Sequence, residues 1–240
     1  MATNYTSLLQ KLATRRPAGA PPQAPGLIAA PDIAEFVGVS LRTLDESESR
    51  EILARAIEFR TGSDTTTLEI SFVGLFAALE SVLTFFRRQN DYDILEPEVF
   101  ASLQQDLKKW LKQHAALAHE SAKRALIYEK FRELNRFPFS HVFNKFCEHY
   151  SLDLTDLWPL VGKHADWPLT EIRHRLVHGD PFVSRPPEAL ACANLHLTWT
   201  VERMLLCELG WPVERSNVSA GNLQGWREHT AWPAERAKFA

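Results

Sequence analysis

Between Leu68 and Phe86, apolar side chains fall on nearly every side of a helical wheel: Leu68, Ile70, Phe72, Val73, Leu75, Phe76, Leu79, Val82, Leu83, Phe85 and Phe86. A helix without a polar face belongs at the centre of its fold. This segment, opening at Thr65 or Thr66 and running to Arg88, therefore needs other elements packed around it. The rest of the chain supplies helices. Residues 44–60 repeat Ile52, Leu53, Ala56 and Ile57 at helical spacing, with Asp45 or Ser47 as cap. Residues 97–116 put Phe100, Leu103, Leu107, Trp110 and Leu111 on one face, and Pro97 suits the first turn. Residues 121–134 and 139–150 read as two further helices. Residues 152–166 are punctuated by Pro159 and Gly162 and read as turns. A brief helix over 168–178 stops at Gly179-Asp180-Pro181, and a long one over 187–209 stops at Gly210 and Pro212. No alternating strand pattern, hairpin turn or internal repeat is present, so the expected fold class is all-α.

Pro, Ala and Gly crowd residues 16–31, as in a flexible or polyproline-like linker, behind a short helical pattern around 5–14. The expected division is a flexible N-terminal segment and linker over 1–31, a helical domain over 32–210 with its core at about 65–210, and a C-terminal tail over 211–240 that covers the helices. The formal charge of −3 gives no global attraction to nucleic acid or anionic lipid, so a polyanion site must be a local patch. Cys147, Cys192 and Cys207 are widely spaced, which excludes a disulfide framework and a cysteine-rich zinc module and fits a reducing compartment. The N-terminal residues lack the continuous apolar run of a secretory signal. Glu80 interrupts the most apolar segment and Glu69 and Arg87 flank it, so a buried helix is expected there, with no membrane span and a cytoplasmic location.

Chemistry concentrates in Glu171-Ile172-Arg173-His174-Arg175-Leu176-Val177-His178-Gly179-Asp180. At about 100° per residue, Leu169, Ile172 and Leu176 form a stripe facing the core, while His174 and His178 lie together on roughly the opposite side. Arg173 sits between these faces, and its long side chain can swing toward His178. A guanidinium can hold a scissile phosphate bidentately, and an imidazole that titrates near neutrality can move the 2′-hydroxyl or leaving-group proton. The same residues also suit a solvated helix face with a Glu171–Arg175 pair, worth ~0.3 kcal/mol. His-x-x-x-His further allows a metal site, although Arg175 stands where the metalloprotease pattern has its Glu. Glu80, among apolar neighbours, needs a partner if buried. Arg87 or a neighbouring backbone group is slightly favoured; Arg173 or another motif cation is the alternative, with Glu80 orienting the arginine.

Arg173-His174-Arg175-Leu176-Val177-His178-Gly179 resembles the R-x(4–6)-H motif of HEPN domains, in which a polar residue commonly follows the arginine and Leu-Val-His-Gly is a frequent ending. The segment from Phe72 to Leu83 (FVGLFAALESVL) is similar to the first core helix of many bacterial HEPN proteins of the abortive-infection type. The resemblance covers about residues 65–210. It implies an up-and-down helical bundle with an N-terminal extension, and a homodimer that joins two motifs in a basic cleft. It also implies a metal-independent endoribonuclease, without cofactor, that leaves a 2′,3′-cyclic phosphate. On this resemblance Arg173 orients the phosphate, His178 transfers protons and His174 positions them, with Glu80 in support and Arg175 as an RNA contact. RNA is the implied substrate, an antitoxin or regulatory protein a further partner, and phage defence or toxin–antitoxin control the setting. The alternative is a non-catalytic HEPN module that dimerises or binds nucleotide or a partner protein. A third reading is a helical regulatory protein with an accidental match. Residues 161–185 hold four Lys/Arg against three Asp/Glu, a weak field unless histidines are charged or a dimer concentrates it.

Overall fold

The structure, a computed structural model, describes residues 4–15, 26–47, 49–62, 67–90, 93–179 and 187–239. In chain order these form α1 (Tyr5–Ala13), α2 (Ile33–Glu46), α3 (Arg50–Gly62), α4 (Leu68–Gln89), α5 (Pro97–Gln113), α6 (Ser121–Lys130), α7 (Phe139–Tyr150), α8 (Leu169–His178), α9 (Pro187–Glu208), α10 (Ala220–Leu223) and α11 (Arg227–Ala237). Among the described residues the extended pairings are two isolated bridges, Ile28 with Ser216 and Asp93 with Arg136, so the protein is all-α. The chain divides into two compact units, Met1–Phe86 with Phe146–Ala240, and Arg87–Lys145.

In the first unit α9 is buried along almost its whole length, and α3 and α11 pack against it. Its polar residues are matched from neighbouring segments. Arg60 of α3 donates through Nε to Glu202 at 2.9 Å, and both side chains are almost wholly buried. Arg203 holds Asp156 with two bonds of 2.6 Å and donates through Nε to the Val218 carbonyl at 2.7 Å. Gly210, at φ 71°, lets the chain turn sharply after the helix, in a conformation costly for other residues.

Several expectations are corrected. The short helical pattern around 5–14 is a helix, α1, and it is not a flexible segment: it is capped by the Asn4 side chain, with Leu9 and Leu12 fully buried and α2 and α3 packed on it. Leu27 and Ile28 are also buried, and the Asn217 N–H donates to the Leu27 carbonyl at 3.0 Å. The linker reading of residues 16–25 lies outside the described residues. The single helix expected over 44–60 is two helices, because the backbone turns extended at Ser47, whose hydroxyl accepts from the Ser49 N–H at 3.2 Å. An earlier helix, α2, runs in front of that break. The C-terminal segment is part of the first unit's core: Trp211 packs edge-on against Phe36 at 5.6 Å, and Phe239 against Trp158 at 5.8 Å.

Helix α4 is not apolar on all sides in use. Phe72, Leu75, Phe76, Leu79, Val82 and Phe86 are buried, but Ile70 (60% exposed) and Val73 (38%) are open, on the same face as Glu80. It is the described helix long and apolar enough to cross a membrane, and half of its most apolar window is buried within the protein. In the second unit, α5 buries Leu111 while Leu103 and Trp110 of its expected core face are exposed. Asn135 fastens this unit's ends by exchanging two bonds with the backbone of Leu95, at 2.8 and 2.9 Å.

Two buried groups of the first unit titrate in opposition. Burial pushes His196 down to about 4, with its Nδ1 accepting from the Trp158 N–H and its Nε2–H donating to the Glu228 carbonyl. Burial pushes Glu208 up to about 7 despite the Tyr150 hydroxyl that donates to it at 3.0 Å. As pH falls below about 6.5, the unfolded chain protonates His196 before the folded one does, which lowers stability. As pH rises above about 4.5, the unfolded chain ionises Glu208 before the folded one does, which also lowers stability. These contributions offset one another between pH 5 and 7. Glu208→Gln removes one of them while keeping an acceptor for Tyr150. Its stability advantage over the wild type, read by urea denaturation, should grow with pH by roughly 2 kcal/mol over that range. Parallel pH profiles for the two proteins would refute the assignment.

Candidate active site

Helix α8 is fixed at both ends by local chemistry. Pro168 occupies the N-cap, and the first-turn N–H groups of Leu169 and Thr170 donate to the carbonyls of Pro159 and Leu160 at 3.0 and 3.1 Å. Leu169 and Ile172 are fully buried. Gly179, at φ 75°, ends the helix directly after His178 and bonds back to the Arg175 carbonyl. The opposite face is left open, with His174, Val177 and His178 exposed.

On that face His174 and His178 lie side by side, ring centroids 4.4 Å apart. Arg173 leans the other way, across to α4. Its Nη2 donates to Glu80 Oε1 at 2.9 Å, and its guanidinium stands 5.9 Å from the ring of buried Phe76. Glu80 is therefore not the buried carboxylate expected of it. It is 48% exposed, Arg173 is 40% exposed, and Arg173 rather than Arg87 is its partner. The reason is the open face of α4, which carries Glu80 to the surface beside α8. A half-exposed pair contributes at most about 1 kcal/mol to stability, so its consequence is orientation. Glu80 takes one of the five guanidinium donors and Nε is buried without a partner, so an anion would be met by the outer Nη donors.

Arg175 is differently engaged. Its Nε donates to Glu171 Oε1 at 2.8 Å and its guanidinium lies 4.3 Å from the centre of the Trp167 ring. Glu171 is buried and also accepts from His164 Nδ1. Burial works to raise the Glu171 carboxyl, but the hydrogen bonds and charges of Arg175 and His164 outweigh it and hold it below the usual range. Trp167 adopts φ 48°, unusual for a residue with a side chain, and is held there by bonds from its N–H to the His164 carbonyl and from Trp158 Nε1 to its own carbonyl at 2.8 Å. Arg175 thus anchors α8 to the preceding turn through Nε, with its side chain 36% exposed. The Glu171–Arg175 spacing was visible in the sequence. The roles of His164 and Trp167 were not, because they depend on the path of the turn.

Among the described residues no hydrogen bond joins Arg173 to His178, and no group of three or more His, Cys, Asp and Glu side chains is placed to hold a metal. The structure pairs Glu80 with Arg173, which leans toward α4, and His174 with His178 on the open face of α8. No family model matches the chain, and no curated protein or solved structure does either.

Proposed function

We propose that the protein is a metal-independent endoribonuclease of the HEPN type, acting as a homodimer in the cytoplasm. The observation that carries this reading is the open face of α8, which presents a guanidinium held at one edge by Glu80 and two adjacent imidazoles at the other. Arg173 would bind the scissile phosphate and stabilise the charge that develops on it. His178, beside His174, would take the 2′-hydroxyl proton or return one to the 5′-oxygen leaving group. Attack of the 2′-oxygen on phosphorus then breaks the bond to the 5′-oxygen and leaves a 2′,3′-cyclic phosphate. No cofactor is needed for that step.

The two pairs diverge within one chain, which favours a symmetric assembly that sets one copy's Arg173 near the other's His178. Exposed apolar residues suit such an interface. Ile70 and Val73 share the face of Glu80 on α4, and Val177 stands one helical turn beyond Arg173. Two copies would also double the cations that a weakly charged region offers to RNA. An up-and-down bundle topology, an antitoxin or regulatory partner, and a setting in phage defence or toxin–antitoxin control belong to the same reading.

The test is cleavage of a defined RNA in EDTA, compared with the same strand carrying a 2′-deoxy sugar at the cut position. Cleavage of the first and survival of the second are expected. Cutting of the deoxy strand at the same bond would overturn the mechanism. Absence of cleavage for every RNA tried would favour a dimerising module without catalysis.

A further inference from the structure

His174 stands beside His178 on the open face of α8, ring centroids 4.4 Å apart and planes inclined at 56°. Among the described residues this mutual contact is their whole engagement, and neither ring takes part in a hydrogen bond or an ion pair. Three other histidines are used by the fold. His164 is bonded to Glu171, His196 to the Trp158 N–H and the Glu228 carbonyl, and His229 to Asp156. His174 has no such task. It is exposed in the interior of α8, where alanine is the better helix former. Each ring of the pair therefore keeps both nitrogens without a protein partner.

Attack by a 2′-hydroxyl moves two protons. One leaves the 2′-oxygen, and one must reach the 5′-oxygen as its bond to phosphorus breaks. The attacking and leaving oxygens stand roughly in line on opposite sides of phosphorus, so one imidazole fixed on a helix faces a single oxygen at a time. Residues four apart on one helix face bring a second imidazole within reach of the same phosphodiester. Neighbouring groups do not offer this chemistry. Arg173 cannot give up a proton, because a guanidinium stays charged in proteins. Arg175 is tied to Glu171, and Glu80 to Arg173.

We propose that His174 is a second proton-transfer residue and not a positioning one, a step that rests on the nuclease reading above. Of His174 and His178, the neutral ring takes the 2′-hydroxyl proton while the other, as an imidazolium, gives one to the 5′-oxygen. The 2′-oxygen bonds to phosphorus, the bond to the 5′-oxygen breaks, and a 2′,3′-cyclic phosphate and a 5′-hydroxyl result. The pair ends with as many protons as it began with, on the opposite ring. Exchange with water resets it, since both rings are exposed.

An RNA with sulfur in place of the 5′-oxygen at the cut position tests this. A thiolate departs without a proton, so that substrate no longer needs the general acid. On ordinary RNA, His174→Ala and His178→Ala should each lower single-turnover cleavage by about 10²-fold or more, with circular-dichroism melts like the wild type's. On the sulfur-substituted RNA one variant should recover to within about tenfold of the wild type, and the other should stay about 10²-fold down. A His174→Ala protein that cuts ordinary RNA within about threefold of the wild type would overturn the proposal and leave the nuclease reading standing. So would loss in both variants that sulfur does not rescue, or rescue of both. Wild-type protein that cuts neither substrate would overturn the two together.

Discussion

Replacing Arg173 or His178 with alanine should lower RNA cleavage by about 10²–10⁴-fold, the range usual for loss of a transition-state cation or a general acid–base. The fold should survive both changes. His178 is exposed at the last turn of α8, and Arg173 gives up one half-exposed pair and a distant ring contact. Arg173→Lys should recover little of the loss, because a lysine keeps the charge and lacks the planar fork that grips phosphate bidentately. Glu80→Gln tests positioning. It keeps an acceptor for Arg173 and removes the charge, so a drop of about tenfold or less, smaller than for Arg173→Ala, is expected. Single-turnover rates on one RNA, with circular-dichroism melts of each variant, provide the check. Alanine variants that cleave within threefold of the wild type would remove these residues from the chemistry.

The second large effect lies in the core. Arg60→Ala or Glu202→Ala should destabilise the protein by about 3–5 kcal/mol, because each removes one member of an ion pair that is almost wholly buried. That is a large fraction of the roughly 5–15 kcal/mol of a typical protein. Replacing both together, Arg60→Met with Glu202→Leu, should recover most of the loss, since an apolar pair of similar volume carries no desolvation penalty. Urea denaturation of the two single variants and the double variant decides this. Single substitutions costing under 1 kcal/mol would mean that the pair is solvated.

Local signals placed the elements that carry the site. Phe139–Tyr150 was bounded by its phenylalanines, and α8 by Pro168 and Gly179, whose backbone requirements act within a few residues. Long-range choices were not legible in the same way. The wheel of α4 shows which residues are apolar and not which of them meet a neighbour, so Ile70, Val73 and Glu80 were assigned to a core that they do not enter. The partner of Glu80 stands on a helix far along the chain, at Arg173, whereas helical spacing points only to the nearer Arg87. Glu171 shows the same limit: its pairing with Arg175 follows helical spacing, whereas its bond from His164 depends on a turn that the sequence does not specify. The helix at residues 5–13 follows its pattern, but its packing on α2 and α3 is not legible there, and residues 227–237 form a helix packed on α9 that a short and weakly patterned segment does not announce.

The central claim is that a guanidinium and an imidazole of α8 drive attack by the sugar's own hydroxyl, and the new ends of the RNA report this most directly. Mass spectrometry of fragments made in EDTA should show a 2′,3′-cyclic phosphate on one side of the cut and a 5′-hydroxyl on the other. Fragments ending in 3′-hydroxyl and 5′-phosphate would contradict it, since they require water and not the 2′-oxygen as the nucleophile.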